Sequence, residues 1–199
     1  MKVSEAKKIT GGLSKPSKMP GPAYNLPAYK CITGAKLAKV PGSVCAGCYA
    51  LKGRYRFSNV RQALDRRLES LQHPQWVDAM VTLIGKQPYF RWHDSGDLQS
   101  AWHLKQIFEV CVRTPGTRHW LPTREVKFLK LLDPEAVPGN LTIRVSSHMI
   151  DQPPVKFWPW TSTVGSSGGT CPAPQNGNKC GPCRACWDRK VQNLSLIHI

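Results

Sequence analysis

The sequence predicts an α/β fold, either an incomplete (β/α) barrel or a small parallel sheet, with cysteine-rich N- and C-terminal extensions that bind metal. Between residues 51 and 165, short β-prone runs alternate with amphipathic helical segments, which is the order of parallel βαβ units. Seven of the eight cysteines lie outside that stretch, in two groups towards the ends of the chain. The 199 residues are too few for a complete eight-unit barrel, which takes about 250.

The N-terminal third contains a basic arm followed by two predicted helices. Residues 1–30 are rich in Lys, Gly and Pro and show no helical or strand period, so we predict an extended arm that lies over the body or binds a polyanion. A helical period spans residues 59–71, and a second helix is predicted from Gln75 to Gly85. The apolar face of the first helix consists of Val60, Leu64, Leu68 and Leu71.

From residue 89 onward, strands alternate with polar loops and helices. The predicted strands are Tyr89–Trp92, His119–Pro122, Leu141–Val145 and Trp160–Val164. One helix is predicted from about Ala101 to Val112, with Cys111 in the core, and another runs through Val126, Leu129 and Leu132. The carboxyl ends of parallel strands build the site in such folds. The loops expected there are His93–Asp97, Thr123–Glu125 and Ser146–Met149.

The chain therefore divides into an arm with the first cysteine group (1–50), an α/β core (51–165) and a cysteine-rich tail (166–193). Residues 194–199 resemble the translation of a transposon end that is used to prepare sequencing libraries. We treat them as adapter read-through and exclude His198 from every ligand argument.

Composition restricts the partners. The net charge of +16 and the pI near 9.8 favour contact with nucleic acid or another polyanion. The alternative interpretation is that part of this charge balances a thiolate-held metal centre. No apolar run is long enough to span a bilayer, and the N-terminus lacks the pattern of a signal peptide. We therefore expect reduced thiols in a cytoplasm, with a disulfide framework as the alternative.

The C-terminal cysteine group has the spacing of an iron–sulfur ligand set. Cys171, Cys180, Cys183 and Cys186 supply four thiolates, and the last three form a tight Cys-x-x-Cys-x-x-Cys run. That spacing favours a 4Fe-4S cluster, whereas zinc ribbons usually separate two Cys-x-x-Cys pairs by a longer loop. Zinc remains the alternative. Trp187 beside the run either shields the cluster from water or packs the tail.

The N-terminal group offers three thiolates, from Cys31, Cys45 and Cys48. Three thiolates on a second 4Fe-4S cluster leave one iron open, and an open position marks a reactive metal. Two alternatives stand beside this interpretation. A histidine or Cys111 completes the site, or Cys45 and Cys48 join two later cysteines in one zinc ribbon.

The polar loop after the first predicted strand holds the acid–base candidates His93, Asp94 and Asp97. These side chains also suit partners of a metal ligand, and Asp97 or Ser100 suits the N-cap of the following helix. Arg124 and His148 are predicted at the same rim, where Arg124 pairs with its neighbour Glu125 in the simplest interpretation.

Four segments resemble the phage gene product 88 family of uncharacterised viral iron–sulfur proteins. They are Cys45-Ala-Gly-Cys48-Tyr-Ala50, Phe90-Arg-Trp-His-Asp-Ser-Gly-Asp97, His119-Trp-Leu-Pro-Thr-Arg-Glu125 and Cys180-Gly-Pro-Cys-Arg-Ala-Cys-Trp-Asp188. The resemblance implies a phage protein, acting in the cytoplasm of the infected bacterial host.

The Cys-x-x-Cys-Tyr-Ala segment before βα units is also similar, more distantly, to radical S-adenosylmethionine enzymes. That resemblance implies that Cys31, Cys45 and Cys48 hold a cluster whose open iron chelates S-adenosylmethionine. Asp94, Ser95, Gly96 and Asp97 would then replace the glycine-rich motif that meets the amino group of this cofactor. Thirteen residues separate Cys31 from Cys45, where those enzymes have three.

Three functions follow from these patterns. The first is a 4Fe-4S protein in electron transfer or radical chemistry, with a redox partner. The alternative is a zinc-stabilised nucleic-acid-binding module that uses the lysine-rich arm with Arg61, Arg66 and Arg67. The third is a structural phage protein whose metal only aids folding.

Overall fold

The computed structural model describes residues 1–197. Its helices are α1 (Val3–Thr10), α2 (Ile32–Leu37), α3 (Ser58–Ser70), α4 (Trp76–Ile84) and α5 (Ala101–Arg113). Its strands are β1 (Ala23–Tyr24), β2 (Tyr89–Trp92), β3 (Arg118–Thr123), β4 (Leu141–Ser146), β5 (Thr161–Gly165) and β6 (Asn193–Ile197). None of the helices in this part of the chain is long and apolar enough to cross a membrane.

The six strands form one open sheet in which every neighbouring pair is parallel and the spatial order follows the chain order. Strands that follow one another in this way also build (β/α) barrels, but here β1 and β6 are edges. The predicted α/β class with a parallel sheet is therefore confirmed. All four strands predicted from the sequence are present, within one residue at their ends.

The two faces of the sheet differ because side chains alternate along each strand. One face packs against the helices, where Phe90, Trp92, Leu121 and Ile143 join the apolar side chains of α4 and α5 in the core. The other face, called the inner face below, carries polar and aromatic side chains and is covered by the C-terminal segment. These side chains are Arg91, Trp120, Thr142 and Arg144.

The predicted helices α3, α4 and α5 are confirmed. Gly85 ends α4 with a φ of +53°, a conformation that glycine adopts without strain. Cys111 lies fully buried in the core, as predicted. His119 is likewise structural, because its ring stacks against Trp92 and its Nε2 contacts the Thr114 hydroxyl at 2.9 Å.

The prediction of an extended arm is wrong for residues 3–10, which form α1 and pack against α4. The Tyr24 hydroxyl explains how the segment is held, since it donates to the Thr10 carbonyl at 2.8 Å. Arg67 does not belong to an exposed basic surface either. Its side chain turns inward and donates to the Gly12 carbonyl at 2.9 Å and to Ser14 Oγ at 3.0 Å.

The helix predicted through Val126, Leu129 and Leu132 is also wrong, because only a 3-10 turn forms there (Val126–Phe128). The segment is short, and Asp133 begins another 3-10 turn with Pro134 in its first position. A helix this short gains too little from its own hydrogen bonds. Residues 193–197 form edge strand β6, and the adapter origin of residues 194–199 stays a prediction; His198 lies outside the described residues.

Candidate metal centres

The first cysteine group lies in the connection between β1 and β2. Cys31 follows a 3-10 helix (Ala28–Lys30), and Cys45 and Cys48 form one turn in which the Cys48 N–H donates to the Cys45 carbonyl at 3.1 Å. A Cβ atom at Gly34 would lie 3.6 Å from the Cys31 Sγ and 3.7 Å from the Cys45 Sγ. The glycine on α2 therefore lets both thiols approach one point, although thirteen residues separate them in sequence.

Asp97 joins the strand-end loops beside this group. One carboxylate oxygen accepts bonds from the Thr123 hydroxyl at 2.6 Å and the Leu98 N–H at 2.7 Å. The other accepts a bond from the Arg124 N–H at 2.9 Å, and the Arg124 side chain donates to the Ser147 carbonyl at 3.1 Å. The loops after β2, β3 and β4 thus meet at one edge, as the strand order predicts.

Glu125 ties the same edge to the cysteine loop. Its carboxylate is fully buried and accepts two bonds from Thr33, from the N–H at 2.7 Å and from the hydroxyl at 2.8 Å. Because Thr33 lies between Cys31 and Cys45, this carboxylate fixes the loop that carries the thiols. The predicted ion pair between Arg124 and Glu125 is not formed within residues 1–197.

The surroundings of the first group oppose negative charge. Burial raises the pKa of the Cys31 thiol, and Asp97 and the neighbouring thiols raise it further. Burial also raises the pKa of Cys45, which Arg124 partly offsets. For Asp97, burial raises the pKa to about 6, against its three hydrogen bonds. These thiols are therefore protonated at neutral pH unless a metal displaces their protons.

Two tyrosines and an ion pair form the rim of the first cysteine group. The Tyr49 hydroxyl donates to the Asp94 carbonyl, and the Tyr55 hydroxyl donates to the Asp94 carboxylate at 3.0 Å. Arg91 from the inner face pairs with the same carboxylate at 2.8 Å. Tyr49 directly follows Cys48, so this network anchors the end of the cysteine loop to the end of β2.

Ser95 and Gly96 pack against the residues that follow β1. The Ser95 hydroxyl donates to the Leu26 carbonyl at 3.0 Å, and the Leu26 N–H donates to the Ser95 carbonyl at 2.9 Å. Gly96 has a φ of +81°, and a Cβ there would lie 2.7 Å from the Leu26 oxygen. Only glycine fits this position, which holds the loop close to the start of the cysteine segment.

His93 is separated from the carboxylates that the sequence grouped with it. Its φ is +59°, and its buried ring packs 5.4 Å from that of His103 on α5, measured between centroids. Neither ring nitrogen has a hydrogen-bond partner within residues 1–197. Burial keeps the pKa of His93 well below its usual value. The residue that caps α5 is Ser100, whose hydroxyl accepts from the His103 N–H at 3.0 Å.

The second cysteine group lies in the segment between β5 and β6, which crosses the inner face. The Cys171 N–H donates to the Ser195 carbonyl at 3.1 Å, and the Cys180 N–H donates to the Lys18 carbonyl at 2.9 Å. Trp187 is buried and donates through its indole N–H to the Phe90 carbonyl at 2.9 Å. Trp187 thus packs the segment onto β2; shielding of a cluster stays a prediction.

Arg144 on β4 holds this segment in place. Its side chain is fully buried and donates to the backbone carbonyls of Ala185 at 2.7 Å, Asp188 at 2.9 Å and Cys186 at 3.1 Å. No carboxylate forms an ion pair with it in the described part of the chain. A buried guanidinium is therefore positioned beside the second thiol group.

Guanidinium groups moderate the thiol pKa values here. Burial raises the pKa of Cys186 to about 12, and both Arg91 and Arg144 act to lower it. Burial also raises the pKa of Cys180, with the neighbouring thiols of Cys171 and Cys183 adding to the rise. The four thiols are thus close enough to influence one another.

Within residues 1–197, no three His, Cys, Asp or Glu side chains are arranged to hold a single metal ion. A zinc ion closed by four thiolates needs sulfurs about 4 Å apart, because each Zn–S bond is about 2.3 Å. All eight cysteines are free thiols, so the alternative of a disulfide framework is wrong. Metal binding by either group stays a prediction.

Sequence reasoning missed several side chains around these groups. Arg91 and Arg144 lie in strands, where the alternation of faces points them to the inner side. That alternation is the sequence signal from which the positions of both arginines could have been predicted. For Glu125, Tyr49 and Tyr55 the sequence gives no comparable signal, because their contacts span 39 to 92 residues.

The fold and the two groups define a cysteine-rich α/β protein with an open, all-parallel sheet and thiols at its carboxyl edge and on its inner face. The family described as "Gene product 88" matches residues 1–189, so the chain belongs to this family and the resemblance to the phage family is confirmed. No curated protein and no solved structure matches the chain.

Proposed function

We propose that this protein binds 4Fe-4S clusters through its two cysteine groups. The observation that carries the proposal is the convergence of Cys31 and Cys45 on one point, with Cys48 in the same turn, at the carboxyl edge of a parallel sheet. Soft thiolates select iron–sulfur clusters, zinc or Cu(I). The first group supplies three thiolates and leaves one iron open, whereas the second supplies all four.

The buried cation beside the second group supports an anionic centre there. Arg144 has no carboxylate partner within residues 1–197, and a buried charge is costly unless it is paired. Asp188 acts on this guanidinium without forming an ion pair, and the net negative charge of several thiolates on a cluster would supply a further counter-charge.

The first group is the proposed site of electron transfer or radical chemistry. When bound at an open iron, S-adenosylmethionine supplies one-electron chemistry. Of the four residues expected near its amino group, Asp97 has both oxygens occupied and Ser95 bonds to Leu26. Gly96 fits the backbone close to Leu26. The Asp94 carboxylate at the rim is already paired with Arg91 and Tyr55, so a cationic amino group would bind there only by replacing one of these partners.

Iron and sulfide analysis after anaerobic purification tests the proposal. We expect a brown protein with about four irons and four sulfides per group. The variant C31A/C45A/C48A should lose the first set, C180A/C183A/C186A the second, and the matched control C111A neither. A colourless protein with stoichiometric zinc, or with no metal at all, contradicts the proposal; zinc would favour the zinc-stabilised alternative.

Radical chemistry has its own test. The reduced, cluster-loaded protein is mixed with S-adenosylmethionine, and 5′-deoxyadenosine is measured. We expect product from the unmodified protein and none from C31A/C45A/C48A. If intact clusters give no product, the radical reaction is rejected, and electron transfer to a redox partner in the host cytoplasm remains the proposed role.

A further inference from the structure

The segment Tyr49–Phe57 forms a surface that the metal proposal does not use. We call it the aromatic–basic surface; it comprises Tyr49, Leu51, Lys52, Arg54, Arg56 and Phe57, and every one of these residues is exposed. Two short 3-10 helices, Tyr49–Leu51 and Gly53–Arg56, shape it. It lies at the carboxyl edge of the sheet, because Tyr49 and Tyr55 are anchored to Asp94 there.

Large apolar side chains on this surface have no packing role that explains them. Phe57 is 59% exposed and Tyr49 is 57% exposed, whereas single exposed hydrophobic residues elsewhere are scattered along the chain. The Tyr49 ring is held rigidly, because its hydroxyl is hydrogen-bonded and its ring contacts Tyr55 edge to face at 5.9 Å. A fixed, exposed ring is a platform on which a base can stack.

The charges around these rings are positive and uncompensated. Fourteen Lys and Arg residues but only two acidic residues lie among residues 1–67, which is half of the chain's 28 basic residues in its first third. Within the described residues, Lys52, Arg54 and Arg56 form no ion pair. No acidic side chain among residues 1–197 therefore forms an ion pair with these three side chains.

We infer that the aromatic–basic surface binds single-stranded nucleic acid. Aromatic rings interleaved with basic side chains are the combination that recognises unpaired bases and their phosphates, whereas duplex binding needs no stacking platform. Bases would stack on Tyr49 and Phe57 while Lys52, Arg54 and Arg56 contact phosphates. Because Tyr49 adjoins Cys48, the bound strand would pass the mouth of the first cysteine group. The inference does not depend on a metal.

Fluorescence anisotropy with a labelled 20-nucleotide single strand, dT or dA, tests this inference. We expect F57A to weaken binding roughly five- to hundredfold through the lost stacking, with F57Y close to the unmodified protein. K52E/R54E/R56E should lower the magnitude of the salt slope, d log K/d log [salt], by about 2.

The matched charge control is K86E/R118E/K190E, which changes the charge equally at residues that precede β2, begin β3 and precede β6. We expect it to weaken binding less than tenfold. Circular dichroism verifies folding of each variant, and F57A alone, an exposed substitution, keeps the test decisive if a triple variant unfolds.

Four results with the variants described so far would overturn the inference. They are absence of binding, equal affinity for duplex and single strand, equal loss in both triple variants, and full competition by polyglutamate, which would indicate an acidic protein partner. A further variant, K7E/K8E/R66E, changes an open cleft of about 820 Å³ between α1 and the end of α3. If only this variant loses binding, the strand binds in the cleft and the inference is wrong.

Discussion

The two cysteine groups share their donor atoms but lie in opposite electrostatic surroundings. Carboxylates of Asp97 and Glu125 surround the first group and raise the pKa of Cys31 beyond the effect of burial. Guanidinium groups of Arg91 and Arg144 face the second group and lower the pKa of Cys186 against burial. The comparison shows that one fold can hold similar thiols while the free energy needed to deprotonate them differs between the two groups.

This difference bears on the proposed clusters. The net charge around an iron–sulfur cluster sets its reduction potential, and nearby positive charge stabilises the reduced, more negative state. We therefore expect the second centre to have the higher potential. Arg91 lies between the two surroundings, since it pairs with Asp94 on the rim and acts on Cys186.

The largest effect is expected at Arg144, and it should alter the second cysteine group while leaving the first unchanged. Arg144→Met removes the donors to three partly buried carbonyls of the second cysteine segment and leaves them without these partners. We expect the free energy of unfolding to fall by about 3 to 5 kcal/mol. Urea unfolding measures this loss, and metal analysis should show depletion of the second set alone.

The control for that substitution is Arg113→Met. Arg113 is an exposed arginine on α5 with ion pairs to Asp78 and Glu109, which are worth less than about 1 kcal/mol each. Equal destabilisation by R144M and R113M, or loss of both metal sets in R144M, would contradict the role assigned to Arg144.

A smaller effect, confined to the surroundings of the first group, is expected for Asp97→Asn, which should change how the free energy of unfolding depends on pH. The pKa of Asp97 is raised by burial from 3.8 to about 6, so the folded protein binds this proton more tightly than the unfolded chain does. The associated stability is therefore fully present below pH 3.8 and is lost as the pH rises through 6. The loss amounts to about 3 kcal/mol.

Urea unfolding of the unmodified protein and of D97N from pH 4 to pH 7 measures this contribution as the difference between their free energies of unfolding. The titration of the histidines contributes equally to both proteins and cancels in that difference. We expect D97N to gain about 2 kcal/mol relative to the unmodified protein over that range. A difference that stays constant with pH would show that Asp97 has the same pKa in the folded and the unfolded chain, which would contradict the effect of burial described above.

The smallest effect is expected at the link between Thr33 and Glu125. Thr33→Val removes the hydroxyl that donates to the carboxylate at 2.8 Å but keeps the backbone bond at 2.7 Å. We expect a loss of about 1 to 2 kcal/mol, because the carboxylate is fully buried. Thermal unfolding checks this, with Thr82→Val on the exposed side of α4 as the matched control; equal shifts would contradict it.

The sequence predicted the elements whose pattern is local. Strands β2 to β5 and helices α3 to α5 have regular alternation or a helical face, and all are present. Helix α1 was missed because it has only eight residues and buries only Ala6 and Thr10, so it depends on packing against α4. Strand β1 has two residues, too few to show alternation.

In the candidate sites, too, local features were predictable from the sequence and long-range contacts were not. The cysteine spacing and the strand-end position of Asp97 were readable from the sequence, and the structure brings Asp97, Arg124 and Ser147 together at one edge. His93 has a positive φ, and its ring packs against His103 on α5, a contact that the sequence did not predict. The partner of Glu125 is 92 residues away in the sequence, and no local sequence pattern predicts a contact between residues so far apart.

The bond from Trp187 to the Phe90 carbonyl has a consequence for biosynthesis. It closes the inner face with a residue made 97 positions later, so Arg144 is covered only after Trp187 has been synthesised. Since N-terminal parts of a chain emerge and fold first, β2 to β4 would assemble with that face still open to solvent. Loading of the proposed second cluster would then fall within this interval, before the segment around Trp187 covers the face.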